Sequence, residues 1–207
     1  MTIRKGEQWG SMVVPGPGML VVRSDAELRS LVLADQTKGR LHSVVGLLGG
    51  DLMRTLGGTG DASRLRGTEP IPHLPIDIVR VRADDGRETV LVAHLVARRS
   101  WWRGPLTAVM NAQFIGRWDV APRAHPNDGR IDLVTASADL GLQQRWLARS
   151  RLLLGTHVPH PLITIRQHDR ATVDLGNRRR LWVDGQRWGS TRSLELTVEP
   201  DALIVCV

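Results

Sequence analysis

I-D-I-V-R-V-R-A-D-D-G-R-E-T-V-L-V-A-H-L-V, residues 76–96, is the stretch from which the rest of the chain is read. Residues 76–82 and 89–96 alternate as half-buried strands do, and Asp84-Asp85-Gly86 between them is turn chemistry. The pattern continues downstream. Further strands are expected at 131–135, 162–166, 171–175, 180–183, 193–198 and 203–207. Asn127-Asp128-Gly129, Gly176-Asn177 and Asp184-Gly185 supply the turns. Many short strands at this spacing argue for a β-sandwich. One helix interrupts them, residues 140–154, stopped by Gly155.

Upstream of residue 76 the grammar differs. Residues 19–22 have strand length. Residues 25–34 have helical spacing, with Leu28, Leu31 and Val32 on one face and Ser24 or Asp25 as cap. Residues 41–48 form a second strand that runs into Gly49-Gly50-Asp51. A short helix, 52–56, ends at Gly57-Gly58. Strand, helix, strand, glycine turn and helix describe a small parallel α/β unit. The expected fold class is therefore α+β, with an α/β unit over 1–80 and a β-sandwich over 81–207.

The chain has 207 residues, enough for a substantial core. Its formal net charge is +7, carried by arginine except at Lys5 and Lys38. Two readings stand: a solvated surface written in arginine by a GC-rich genome, or attraction to phosphate on a nucleotide, a membrane or a nucleic acid. No run is long enough to span a bilayer, residues 1–10 carry no apolar leader core, and the single Cys206 makes no internal disulfide. These point to a cytoplasmic protein, peripheral at a membrane if it meets one. Seven tryptophans stand against one phenylalanine and no tyrosine, and they are expected in the core or at the junction of the two units.

Two stretches carry a family likeness. One is Asn111-x-x-Phe114-x-Gly116 followed by Pro126-Asn127-Asp128-Gly129-Arg130-Ile131-Asp132; the other is Leu181-Trp182-Val183-Asp184-Gly185-Gln186. Together they resemble the diacylglycerol and sphingosine lipid kinases, in which an α/β nucleotide domain precedes a β-sandwich. Leu48-Gly49-Gly50-Asp51-Leu52-Met53-Arg54 resembles that family's second nucleotide segment, with Leu48 in place of a threonine and Gly50 in place of an asparagine. Where the family's glycine-rich phosphate loop belongs stands Arg23-Ser24-Asp25-Ala26-Glu27, in which only Asp25 matches. The family's opening strand and helix are expected to be missing, since too few residues precede Met19.

The resemblance implies roles residue by residue. Asp184 is the general base for a lipid hydroxyl, although its glutamate companion is Gln186 here. Asp25, Gly49, Gly50 and Asp51 lie at the Mg²⁺–ATP site, and Asp128 and Asp132 lie on a loop that holds a structural magnesium. For the Asn127–Gly129 stretch, a plain turn with aspartates bonded to their own backbone is the other reading. A phosphate cradle needs glycine for close backbone approach, so this loop reads as degenerate. Two functions follow: a pseudokinase that binds a lipid, a nucleotide-like ligand or a partner, or an active ATP-dependent lipid kinase with a divergent loop. A nucleic-acid partner is not expected. Arg98-Arg99-Ser100-Trp101-Trp102-Arg103 suits a lipid surface or a packed loop, and Arg178-Arg179-Arg180 reads as an exposed hairpin tip. His157 and His160 lack a carboxylate or cysteine neighbour in sequence and are not expected to bind metal. The sheet edge left by a missing strand needs cover, from residues 1–17 anchored by Trp9 or from a second subunit as a homodimer.

Overall fold

The computed structural model describes residues 9–16, 18–38 and 44–207. The α/β part contains β1 (Ser11–Val13), β2 (Leu20–Val22), α1 (Asp25–Thr37), β3 (Val45–Leu47) and α2 (Asp51–Thr55). Of the strand expected at 41–48, residues 41–43 lie outside the described residues. The strands that follow are β4 (Ile71–Ala83), β5 (Glu88–Leu91), β6 (His94–Arg98), β7 (Leu106–Met110), β8 (Phe114–Ile115), β9 (Trp118–Asp119) and β10 (Ile131–Ala136). Helix α3 (Leu142–Arg151) then precedes β11 (Ile163–His168), β12 (Arg170–Val183) and β13 (Gln186–Cys206). The fold is α+β, and among the described residues no helix is long and apolar enough to cross a membrane.

Eleven of the thirteen described strands join in one sheet, ordered β1-β4-β13-β12-β6-β7-β10-β11, with β5 on β4 and the β2–β3 pair attached to β13 through β3, while β8 and β9 pair with each other. Only β2–β3 and β3–β13 are parallel; the other pairings are antiparallel. The sheet folds on itself as a sandwich around Val79, Leu95, Val109, Leu181 and Leu194. Alternation explains the layers. On β6, Leu95 and Ala97 enter this core while Val96 enters a second one beneath α3; on β7, Val109 and Ala108 divide the same way. Strands buried on both faces need no polar residue, so L-T-A-V-M of β7 lacks an alternating signature and was not among the expected strands.

The last two strands of the sandwich are longer than expected. Residues 171–175 and 180–183 are both parts of β12, and 193–198 and 203–206 are both parts of β13. The interruptions are irregularities in pairing, between Asp174 and Arg179 and between Glu199 and Leu203. Gly176 and Asp201 take left-handed backbone there, so residues that read as turns bend a strand without ending it. Arg178, Arg179 and Arg180 accordingly lie within β12, not at a hairpin tip, and Arg179 bonds the Leu175 carbonyl and the Thr107 hydroxyl at 3.2 Å. Residue 80 lies inside β4, which runs unbroken through both parts.

The N-terminal segment folds back, but onto β4. Ser11 pairs with His73 and Val13 with Ile71, the Trp9 indole N–H donates to the Pro75 carbonyl at 3.0 Å, and its ring lies 4.5 Å from His125. Among the described residues it does not pair with the edge of β2; residues 1–8 and 17 lie outside the described residues. None of the tryptophans is fully buried: five are half-buried, and Trp102 and Trp146 are exposed. Guanidinium groups lie over several of them, Arg98 over Trp101 and Trp182 and Arg149 over Trp118, so a partly wet ring suits them better than a dry core.

Candidate functional site

Asp184 occupies the turn between β12 and β13 with a left-handed backbone, φ 47°, and is 5% exposed. Its carboxylate points inward. It accepts the backbone N–H of Val92 at 3.2 Å, Ala93 at 2.9 Å and His94 at 3.0 Å. Those amides turn away from the ladder, which is why the strand expected over 89–96 divides into β5 and β6. The carbonyl side of the same break is held by Asn111, whose amide donates to Val92 and Asp77 carbonyls at 2.9 Å each. Burial pushes the Asp184 carboxyl up to about 7 despite these bonds, and the Asp25 charge adds to the rise.

Asp25 begins α1, where Ser24 caps the helix by accepting the Glu27 N–H at 3.2 Å. The Asp25 carboxylate reaches across to the N-terminus of α2, accepting the N–H of Asp51 at 2.6 Å and of Leu52 at 3.2 Å. Burial raises its carboxyl to about 6. One turn further along α1, Arg29 donates to the Val183 carbonyl and, at 2.6 Å, to the Gln186 side chain. Gln186 therefore offers Arg29 a neutral acceptor where the family likeness implies a carboxylate.

Asp51 completes the group. Its Oδ1 accepts the Gly116 N–H at 2.8 Å, and its Oδ2 lies 3.5 Å from His94 Nδ1. Burial raises the Asp51 carboxyl and pushes His94 down to about 4, so the histidine is neutral at pH 7 and this contact is not an ion pair. Arg54 follows the same path as Asp51, donating to the Gly116 carbonyl with its guanidinium 4.1 Å from the Phe114 ring centre. The Asp51-x-x-Arg54 segment thus grips the Phe114-x-Gly116 turn.

Gly49 and Gly50 face the chain itself. A Cβ on Gly49 would strike the Arg23 carbonyl, and one on Gly50, whose φ is 102°, would strike the Asp25 carboxylate. The two N–H groups at the start of α2 are already spent on Asp25. The loop packs closely on its own atoms, and both positions require glycine.

Asp128 and Asp132 form a second group around Asp77. Asp77 is fully buried and accepts the Gly129 N–H at 2.7 Å and the Asp201 N–H at 2.9 Å. Asp128 accepts the Arg130 N–H at 2.9 Å, the turn geometry held open as the alternative to a metal loop. Burial lifts Asp77 and Asp128 each to about 6. Among the described residues no group of three or more His, Cys, Asp or Glu side chains is placed to hold a metal ion. Asp77 and Asp128 close the loop on backbone N–H groups and Asp132 accepts the Gln167 side-chain N–H at 3.4 Å, a set that does not fit a magnesium shell.

A different kind of space lies on the far face of β6, β7 and β10. An apolar cavity of about 120 Å³ sits between those strands and α3, walled by Val96, Ala108, Val134, Leu140 and Leu152, with Trp118 and Arg149 also on its lining. Buried His157 borders it, its pKa lowered by burial. Spacing alone does not mark such a place, because its walls come from five separate elements.

Comparison with known proteins agrees with this architecture. Residues 79–207 match the family described as the YegS C-terminal NAD kinase beta sandwich-like domain. No curated protein sequence matches the chain. Among solved structures, a diacylglycerol kinase from Bacillus anthracis str. Sterne superposes with TM-score 0.62 and 11% identity, over 90% of this chain and 75% of that one. A second structure from the same organism, assigned as a diacylglycerol kinase, gives TM-score 0.67 and 10% identity over 90% and 77% of the two chains. At such identities these structures share the fold alone. The family match spans more than half of the chain, and this protein belongs to the family of the YegS C-terminal NAD kinase beta sandwich-like domain, the lipid-kinase family that its motifs resemble.

Proposed function

We propose that this protein is a pseudokinase of the lipid-kinase fold, a binding protein for an amphipathic ligand that transfers phosphate poorly or not at all. One observation carries the reading: the Asp25 carboxylate sits on the α2 N–H groups where an anionic ligand would be received. Phosphoryl transfer rests on positioning and on stabilising charge. The family it resembles keeps this aspartate among glycines; here Arg23, Ser24 and Ala26 replace them, and without those glycines the loop lacks the close backbone approach a phosphate needs. Asp184 supports the same reading. Its oxygens are committed to three backbone amides, and at 5% exposure it offers no base to a hydroxyl outside. The apolar cavity under α3 suits a short hydrocarbon segment, with the Arg149 guanidinium beside it for a phosphate or other anionic head.

The test is calorimetric titration with Mg²⁺–ATP up to millimolar nucleotide. The expected result is no saturable binding. Saturable binding that Asp51→Ala weakens would overturn the reading, favour an active kinase, and direct attention to Asp184 as its base.

A further inference from the structure

Helix α3 is built inside out. Its buried side carries Arg145, which is 6% exposed and donates to the carbonyls of Leu140 at 2.8 Å, Trp101 at 3.3 Å, Ser137 at 3.1 Å and Gly104. One inward guanidinium thus ties the helix to the loop that precedes β7. The outward side carries what a soluble helix normally buries. Trp146 is 67% exposed and Leu154, in the 3₁₀ turn that extends the helix, 77%; Leu142, Leu147, Leu153 and the neighbouring Trp102 are also exposed. These apolar side chains share the exposed side of the helix with Gln143, Gln144, Ser150 and Arg151, and so many large apolar groups exposed on one short element are costly in water.

The surroundings of this face select its partner. Residues 140–168 contain no Asp or Glu, and neither do residues 89–118. Of the carboxylates that border these stretches, Asp139 accepts the Ser137 hydroxyl at 2.9 Å, and Asp119, half-buried against Gly155, accepts the Gln113 side-chain N–H at 2.8 Å. Arg99, Arg103 and Arg151 are exposed around the patch, and Arg149 stands 5.6 Å from the Trp102 ring centre. Tryptophan and leucine flanked by exposed arginines, with the neighbouring Asp119 half-buried and hydrogen-bonded, match a surface whose interior is hydrocarbon and whose headgroups are negative. We propose that α3, its 3₁₀ extension and the Trp102 loop form a docking face for an anionic lipid bilayer, laid flat in the headgroup layer. This holds whether or not the protein binds nucleotide.

Co-sedimentation tests it, using vesicles of phosphatidylcholine alone and vesicles in which about a third of the lipid is phosphatidylglycerol. The wild type is expected to bind the anionic vesicles at least about tenfold more tightly than the neutral ones. Replacing Trp146→Gln and Leu154→Gln together, both solvent-facing, should weaken that binding about tenfold or more. Arg103→Gln and Arg151→Gln should each weaken it about fivefold. Equal binding to both vesicles, binding to neither, or full retention by the double variant would overturn the proposal. Light scattering without lipid supplies one further outcome: a dimer of the wild type that the double variant loses would assign the face to a second copy of the chain and overturn the bilayer assignment.

Discussion

Asp25 and Asp51 share one network and play opposite parts in it: Asp25 receives the backbone N–H of Asp51 at 2.6 Å, while the Asp51 carboxylate reaches outward to Gly116. The first carboxylate holds α2 to α1, and the second holds α2 to the β8–β9 turn. Replacing Asp25 by Ala should strip the short helix of its acceptor and cost about 1–2 kcal/mol of stability, measured by urea denaturation. Asp25→Asn keeps one oxygen and should cost less. If Asp25→Ala gained millimolar ATP binding, the carboxylate would be identified as the group that bars it.

Asn111 closes the gap between β5 and β6 from one side. Asn111→Leu matches its bulk but leaves the Asp77 and Val92 carbonyls without their donor. A loss of about 2–3 kcal/mol in thermal or chemical denaturation is expected. An unchanged midpoint would show that the gap holds without the amide.

Four buried carboxyls set the pH response. Asp184 lies near 7 and Asp25, Asp77 and Asp128 near 6, all above the ordinary 3.8. Each binds its proton more tightly folded than unfolded, so each adds stability as pH falls from about 7 toward 4. His94, held near 4, works the other way between 6.5 and 4. His125 and His157, also lowered by burial, act with His94, but the raised carboxyls, Asp51 and Asp132 among them, outnumber the three, so urea midpoints should rise on moving from pH 7.5 to 5.5. Asp184→Asn should flatten that rise by on the order of 2 kcal/mol, because the amide carries no charge to bury. A midpoint that falls over the same range would contradict the assignment.

Gln186→Glu is the simplest test of the Arg29 contact. A carboxylate there meets a guanidinium already 2.6 Å from the amide oxygen. Because residue 186 is exposed, the gain should be modest, about 0.5–1 kcal/mol, and should shrink in high salt and vanish as the new glutamate protonates on acidification. The variant is not expected to bind ATP, since it leaves Asp25 in place.

Much of this was legible in the sequence, and the reasons for the rest are physical. Residues 140–154 read as one helix stopped by Gly155, and α3 with its 3₁₀ extension fills that span up to a left-handed Gly155. The turn motif around Asp184, the Gly49-Gly50-Asp51 segment and Asp25 were each singled out, and the fold brings them together. Arg29, His94 and Asp77 were not. Arg29 and Asp77 act mainly on backbone atoms of distant strands, and no spacing rule encodes such partners. Asp77 sits in an alternating strand where a polar residue reads as solvent-facing, yet it is fully buried. The aspartates of 128–132 show the converse: the family likeness implied a metal there, whereas Asp128 accepts a backbone N–H of its own turn and Asp132 the Gln167 side-chain N–H.

Strand β13 carries the last consequence. Val205 lies beside Val45 in parallel pairing, with Leu74 across from it on the other side. The small α/β sheet therefore borrows its third strand from the far end of the sandwich. During synthesis, β2 and β3 emerge early but wait as a two-stranded fragment, with Leu47 and Val22 without their full packing, until residues 203–206 arrive. The nucleotide-type half thus cannot mature before the strand that also closes the sandwich, although β2 and β3 precede the sandwich in the chain.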